Sequence, residues 1–266
     1  SRNYIAGDTL ADADSVRQRL LRDGLAATIG YWNSDQQPPR EIADQYMTAL
    51  DLLGRDQQDT YLSIKFSPLQ FSQKLMRNIA ARAATVNRRI HFDALEPEAV
   101  DRTRLMVEDI QTAHPTLDIG FTLPGRWQRS LDDALWASEK NLYVRVVKGE
   151  WPDPEDPERE MRSGYLEVIE QLAGRARHVS IATHDPELAA EAATLLKEAG
   201  TSCNLELLYG LPMRESLKRA RELGLAVRVY LPYGEAYRPY ALSQARRKPW
   251  LLWWLAKDLV ASTIKA

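Results

Sequence analysis

The sequence predicts an α/β fold of the (β/α)8 barrel type from three observations. Eight short runs rich in β-branched and aromatic residues alternate with amphipathic stretches of helical period. Dividing the 266 residues among eight units (266/8) gives about 33 each, consistent with the size of that barrel. The first run leads into IGYWNSDQQPP, which is not the Gly-rich phosphate loop that an open doubly wound sheet would place there.

The strands expected are Ala26–Tyr31, Tyr61–Phe66, Arg89–Asp93, Leu117–Leu123, Leu142–Lys148, His178–Thr183, Cys203–Leu207 and Ala226–Leu231. An extra helix, Ala11–Leu21, precedes the first. Glu41–Leu53 presents Ile42, Tyr46, Ala49 and Leu53 on one face, and Gly164–Leu172 presents Tyr165, Val168, Ile169 and Leu172. Pro186 in the first turn and Gly200 past the end bracket a helix over Pro186–Ala199, and Gly224 ends another over Met213–Leu223. Strands alternating with helices imply parallel pairing, and eight such units imply one closed barrel over residues 1–266, with a C-terminal helix over its mouth. The acidic, proline-broken stretch Glu150–Arg159 (EWPDPEDPER) reads as a solvated loop after the fifth strand.

A net charge of −2, with Lys and Arg scattered, argues against nucleic acid as a partner. The one cysteine, Cys203, permits no internal disulfide. The opening SRNYIAGDTL has no apolar signal-type run, and no apolar run is long enough to span a bilayer. A cytoplasmic location is expected. The Trp-rich segment PWLLWWL (Pro249–Leu255) reads as a buried final helix, with weak contact at the inner-membrane periphery as the alternative.

Barrels of this kind place their chemistry at the C-terminal ends of the strands. Those ends carry Lys65, Asp93, Arg145 with Lys148, Thr183 with His184 and Asp185, Glu206, and Arg228 with Tyr230. Six polar strand ends meeting at one mouth would cost several kcal/mol each unless paired or bound to a ligand. Asp93 and Arg145 suit an ion pair, and Asp185 before Pro186 suits a helix N-cap. His91, Asp93, His184 and Glu206 could be combined into a metal site, but no HxH pair or cysteine ligand supports one. His91 reads better as a packed barrel residue.

These segments, YLSIKFSPL, HFDALEPE, VRVVKGEW, IATHD, ELLYGL and VRVYLPYGEAYRPY, resemble in order the catalytic barrel of the proline dehydrogenases, from about Tyr4 to the C-terminus. That resemblance implies FAD at the barrel mouth, and oxidation of proline or a similar cyclic secondary amine to the imine by hydride transfer to flavin N5. A quinone or oxygen would be the electron acceptor. It places Arg145 beside flavin N5 and puts Val147, Lys148, Gly149, Thr183, His184 and Glu206 along the cofactor. Lys65 falls at the substrate carboxylate, Asp93 pairs with it, and Tyr230 and Tyr240 wall the pocket.

The sequence departs from the pattern at the substrate. Ser243 and Gln244 stand where the family has an arginine pair that clamps the carboxylate, and two neutral side chains do not replace a bidentate clamp. Arg246 and Arg247 follow one helical turn later. Pro124 replaces a flavin-contacting glutamine, Trp151 replaces a pocket tyrosine, GYWNSD replaces the family's LGE after the first strand, and Arg126 becomes a candidate anion contact. The readings set against flavin chemistry are a metal-dependent barrel hydrolase or lyase and a catalytically silenced barrel acting as a binding protein.

Overall fold

The computed structural model describes residues 6–94 and 96–234. Eight parallel strands close into a barrel in sequence order. They are β1 (Ala26–Tyr31), β2 (Thr60–Ile64), β3 (Ile90–Phe92), β4 (Ile119–Pro124), β5 (Tyr143–Val147), β6 (His178–Ala182), β7 (Cys203–Leu208) and β8 (Val227–Tyr233). The helices are α1 (Leu10–Arg22), α2 (Pro39–Leu53), α3 (Gln73–Thr85), α4 (Val100–Ala113), α5 (Ser130–Glu139), α6 (Met161–Leu172), α7 (Pro186–Glu198) and α8 (Arg214–Glu222). Short 3-10 turns at Ser67–Leu69 and Pro97–Ala99 precede α3 and α4. All eight expected strands and the leading helix are present. The expected C-terminal helix, with Tyr240, Ser243, Gln244, Arg246, Arg247 and Pro249–Leu255, lies outside the described residues.

Alternation along the strands sorts the side chains into two sets. Ala27 and Ile29, Leu62 and Ile64, Ile90 and Phe92, Val144 and Val146, Val179 and Ile181, Leu205 and Leu207, and Val229 and Leu231 are buried in the apolar layer beneath the helices. Each such side chain contributes roughly 1.5–3 kcal/mol when fully buried. The intervening residues, pointing into the barrel, are largely polar: Thr28, Ser63, His91, Thr122, Arg145, Ser180, Glu206 and Arg228 are all buried. The outer layer therefore holds the barrel shut, and the interior carries the polar chemistry.

Register sets which of these residues meet. Gly30 lies opposite Ser63, His91 opposite Gly120, Thr122 opposite Arg145, and Leu208 opposite Tyr230. Two inward positions must be glycine. A Cβ on Gly30 would lie 2.0 Å from the Tyr230 hydroxyl, and one on Gly120 would lie 1.9 Å from His91 Nδ1.

Asp185 caps α7 as expected, accepting from the backbone N–H of Glu187 and Leu188 at 3.1 Å each, with Pro186 following. Asp185→Ala should lower stability by about 1 kcal/mol, read as a shift in urea midpoint at unchanged slope. The loop after β5 is solvated as expected at Glu150, Glu155, Asp156 and Glu158, with one exception. Asp153 is only 4% exposed and accepts from the backbone N–H of Gln128 (2.6 Å), Glu155 (2.8 Å) and Asp156 (3.1 Å). Burial raises its pKa, but these three bonds and Arg159 outweigh that and hold it below the usual carboxylate value. An acidic stretch read from composition as solvated is organised around one buried carboxylate.

Candidate active site

The C-terminal mouth is built on one buried ion network. Arg145, on β5, is 3% exposed. Its Nε donates to Glu206 Oε2 and its Nη2 to Glu206 Oε1, both at 2.9 Å, a bidentate pair across the barrel. Nη1 donates to Asp93 Oδ1 at 2.5 Å and to Ser63 Oγ at 3.2 Å, and Nη2 also donates to the Tyr61 hydroxyl at 3.1 Å. All five guanidinium N–H groups are therefore used within the protein. Glu206, itself 3% exposed, also accepts from Thr28 Oγ1 (2.9 Å) and Tyr61 OH (3.2 Å). Burial alone would lower the Arg145 pKa, but Glu206, Tyr61 and Asp93 hold it well above its ordinary value. In the same way burial works against the Glu206 carboxylate, yet Arg145 keeps its pKa below the ordinary value.

Above this pair sits a second tier. Asp93 ends β3 and takes two further donors: Ser63 Oγ at 2.7 Å on Oδ1 and the Tyr230 hydroxyl at 2.9 Å on Oδ2. Tyr230, from β8, in turn accepts from Trp32 Nε1 at 3.3 Å. Burial, with the Asp93 charge beside it, raises the Tyr230 pKa well above its ordinary value, so the hydroxyl stays protonated and donates. Lys65 follows β2, its backbone N–H bonded to the buried Tyr46 hydroxyl at 3.1 Å. Its ammonium lies over the Trp32 ring, 4.8 Å from the centroid. Among the described residues Lys65 forms no ion pair. Burial lowers its pKa, and Asp93 and Glu150 offset part of that.

The structure brings Lys65, Asp93, Arg145, Tyr230 and Glu206 close together at the barrel mouth. It separates two of these by role: Arg145 and Glu206 neutralise each other below the mouth, whereas Lys65 faces it. Tyr240, Ser243 and Gln244 lie outside the described residues. Trp32 is the site residue that sequence reading missed. GYWNSD was noted only as a departure, and the signal was a tryptophan one residue past a strand end, among other mouth residues.

Beside this core, β5 and β6 form a cationic rim. Gly149 has φ +94°, and a Cβ there would come within 2.9 Å of both Arg126 Cγ and Pro124 Cβ. Arg126 donates from Nη1 to the Glu150 carbonyl at 3.1 Å, while its Nε is buried without a hydrogen-bond partner among the described residues. Lys148 is partly exposed and reaches Asp185 only at 3.9 Å. Val147 precedes it at the end of β5. Thr183 Oγ1 accepts from the backbone N–H of Asp185 at 3.1 Å. Trp151 is 50% exposed and accepts through its carbonyl from Trp127 Nε1 at 2.9 Å.

The metal set considered from sequence does not assemble. His184 accepts at Nε2 from the backbone N–H of Leu208 (2.9 Å) and donates from Nδ1 to the Pro212 carbonyl (3.1 Å), which commits both nitrogens and fixes the tautomer. His91 is 1% exposed, bonds Thr122 Oγ1 through Nε2 at 3.0 Å, and stacks on Tyr61. Among the described residues no group of three or more His, Cys, Asp or Glu side chains is placed to hold a metal ion.

An eight-stranded parallel barrel with a lysine, an aspartate, a tyrosine and a cationic rim at its C-terminal mouth has the layout of a barrel enzyme. Comparison with known proteins narrows this. No family model matches the chain. Proline dehydrogenase 1 of Bacillus subtilis is 23% identical over 267 residues, covering 94% of this chain and 87% of the relative. Proline dehydrogenase of Deinococcus radiodurans is 25% identical over 260 residues, covering 89% and 82%. Among solved structures, proline utilization A (PutA) from Corynebacterium freiburgense superposes with a TM-score of 0.74 at 17% identity over 92% of this chain. PutA from Bdellovibrio bacteriovorus inactivated by N-propargylglycine gives 0.72 at 15% over 88%. The chain spans about a third of those PutA chains (30% and 31%), so their likeness concerns the barrel fold alone. In sequence the chain is thus similar, at 23–25% identity over most of its length, to curated proline dehydrogenases, and in fold to the barrel of the PutA proteins.

Proposed function

We propose that this barrel is a flavin-dependent enzyme that oxidises a cyclic secondary amine, proline or a close relative of it, to the imine. The observation that carries the reading is the convergence of Lys65, Asp93 and Tyr230 at the mouth above the Arg145–Glu206 pair, beside the β5–β6 rim.

The rim suits a flavin nucleotide, and FAD is the form the family resemblance implies. Arg126 Nε is a buried donor without a partner among the described residues, Gly149 gives the backbone a left-handed turn, and Lys148 and Lys65 add positive charge. Lys148, Gly149, Thr183 and Arg126 would hold it. When bound there, it would supply the acceptor for the hydride that leaves the ring carbon beside the amine nitrogen. Arg145 offers no free N–H, so its contribution is a buried positive charge beneath the site rather than a direct hydrogen bond.

The remaining work falls to the chain's own residues. Lys65 would attract the substrate's anionic group. The Tyr230 ring, fixed by hydrogen bonds to Asp93 and Trp32, would wall the pocket and hold the amine in reach. Asp93 keeps its two oxygens on Arg145, Ser63 and Tyr230, and so orients the tier. The electron acceptor, quinone or oxygen, would act after this step. Among the described residues no helix is long and apolar enough to cross a membrane.

The reading predicts that protein reconstituted with FAD under anaerobic conditions shows a flavin band near about 450 nm, and that L-proline or a related cyclic amine bleaches it. A bound band that no member of a panel of cyclic amines and amino esters bleaches would overturn the oxidase reading. Failure to bind FAD would overturn the cofactor as well.

A further inference from the structure

We propose that Trp32 is a positioning residue that holds Lys65, which has no ion pair among the described residues, with its ammonium free to take a substrate carboxylate. The first support is charge accounting. Arg145 faces two carboxylates, Glu206 and Asp93, and uses every N–H on them and their neighbours. It therefore has nothing left for a substrate anion. Lys65 has no ion pair among the described residues, although Asp93 and Glu150 act on it at longer range.

The second support is how Lys65 is held. Its ammonium lies over the Trp32 ring at 4.8 Å, and a ring face attracts the charge without consuming the three N–H donors. A carboxylate partner at the same place would have neutralised the charge and taken at least one of those donors. The third is that Trp32 is itself fixed by the tier it serves. Its indole N–H donates to Tyr230 OH, and Tyr230 donates to Asp93. Gly30, one residue before the end of β1, lacks the Cβ that would strike the Tyr230 hydroxyl, so β1 makes room for this arrangement. Trp32 thus links the anion seat to the pocket wall.

The proposal rests on Lys65 as the substrate-anion residue, and not on the flavin, so its test uses a probe that cannot be oxidised as an amine. Acetylation of Lys65 is followed by peptide mass spectrometry at fixed pH, with and without cyclopentanecarboxylate, a ring carboxylate without nitrogen. Cyclopentanecarboxamide is the uncharged control. The expected result is that the carboxylate slows Lys65 acetylation in the unaltered protein while the carboxamide does not. Trp32→Leu should then require about 3- to 30-fold more carboxylate for the same protection. Trp32→Phe, which keeps a ring but not the indole N–H, should fall between them and guards against a folding failure of the leucine variant. Equal protection by carboxamide, no protection by either probe, or unchanged protection in both Trp32 variants would overturn the proposal. Failure of the redox reading would instead appear as an unbleached flavin with Lys65 protection intact.

Discussion

Arg145→Met should destabilise the protein by about 3–5 kcal/mol, because it strands Glu206 as a buried, unpaired carboxylate. Glu206 is 3% exposed and takes two of its hydrogen bonds from the Arg145 guanidinium, so solvent does not replace what is lost. For a chain of this size that corresponds to a fall in melting temperature on the order of 10 °C. Removing both partners should be milder. In Arg145→Met with Glu206→Leu neither charge is left alone, and most of the loss should be recovered, with Asp93 retaining Ser63 and Tyr230. Urea unfolding of the single and double variants measures this directly. A single variant within about 1 kcal/mol of the parent would mean that the network is not a structural unit. The FAD-loaded single variant would also be slow, since the positive charge beneath the site is gone.

Acidification from pH 7 to 5 should weaken the fold through its buried histidines. Burial pushes the His91 pKa well below its ordinary value, and Arg145, Arg89 and Arg228 push the same way. His178 and His184 shift in the same direction, mainly through burial. For a group whose folded pKa is depressed, the unfolded chain takes up the proton first. Stability is then complete above the unfolded value of about 6.5 and falls as pH drops towards the folded value. Over that window the loss from His91 is at most about 1.4 kcal/mol per pH unit, and the other two act in the same direction. Glu206, also depressed, acts mainly below the unfolded glutamate value of about 4.3, at which an unfolded glutamate is half protonated, so the two effects are largely separated in pH. Urea midpoints at pH 7, 6 and 5 test this. His91→Phe, which removes the titrating group while keeping a ring against Tyr61, should flatten the profile, and a parent profile already flat over this range would refute the assignment.

The strands were legible because each alternates apolar and polar residues, and only a barrel clad in helices buries one set while enclosing the other. The helices α3, α4 and α5 were less distinct as sequence. Their turns carry arginine and aspartate that pair with neighbouring helices, as Arg77 does with Asp109 and Arg104 with Asp133. In the loop after β5 composition missed Asp153, because one buried aspartate among several exposed acids leaves no mark in a string of letters.

Strand order, the polar strand ends and the capping aspartate at Asp185 are local or periodic properties, and the amino-acid order is enough to read them. Which charges cancel and which stay available is not local. Arg145 and Glu206 are 61 residues apart, and Lys65 reaches Trp32 from another strand. Closing the barrel fixes those distances, saturates the arginine, and leaves the lysine over an indole, because a parallel sheet curled on itself brings residues from separated strands into one polar interior.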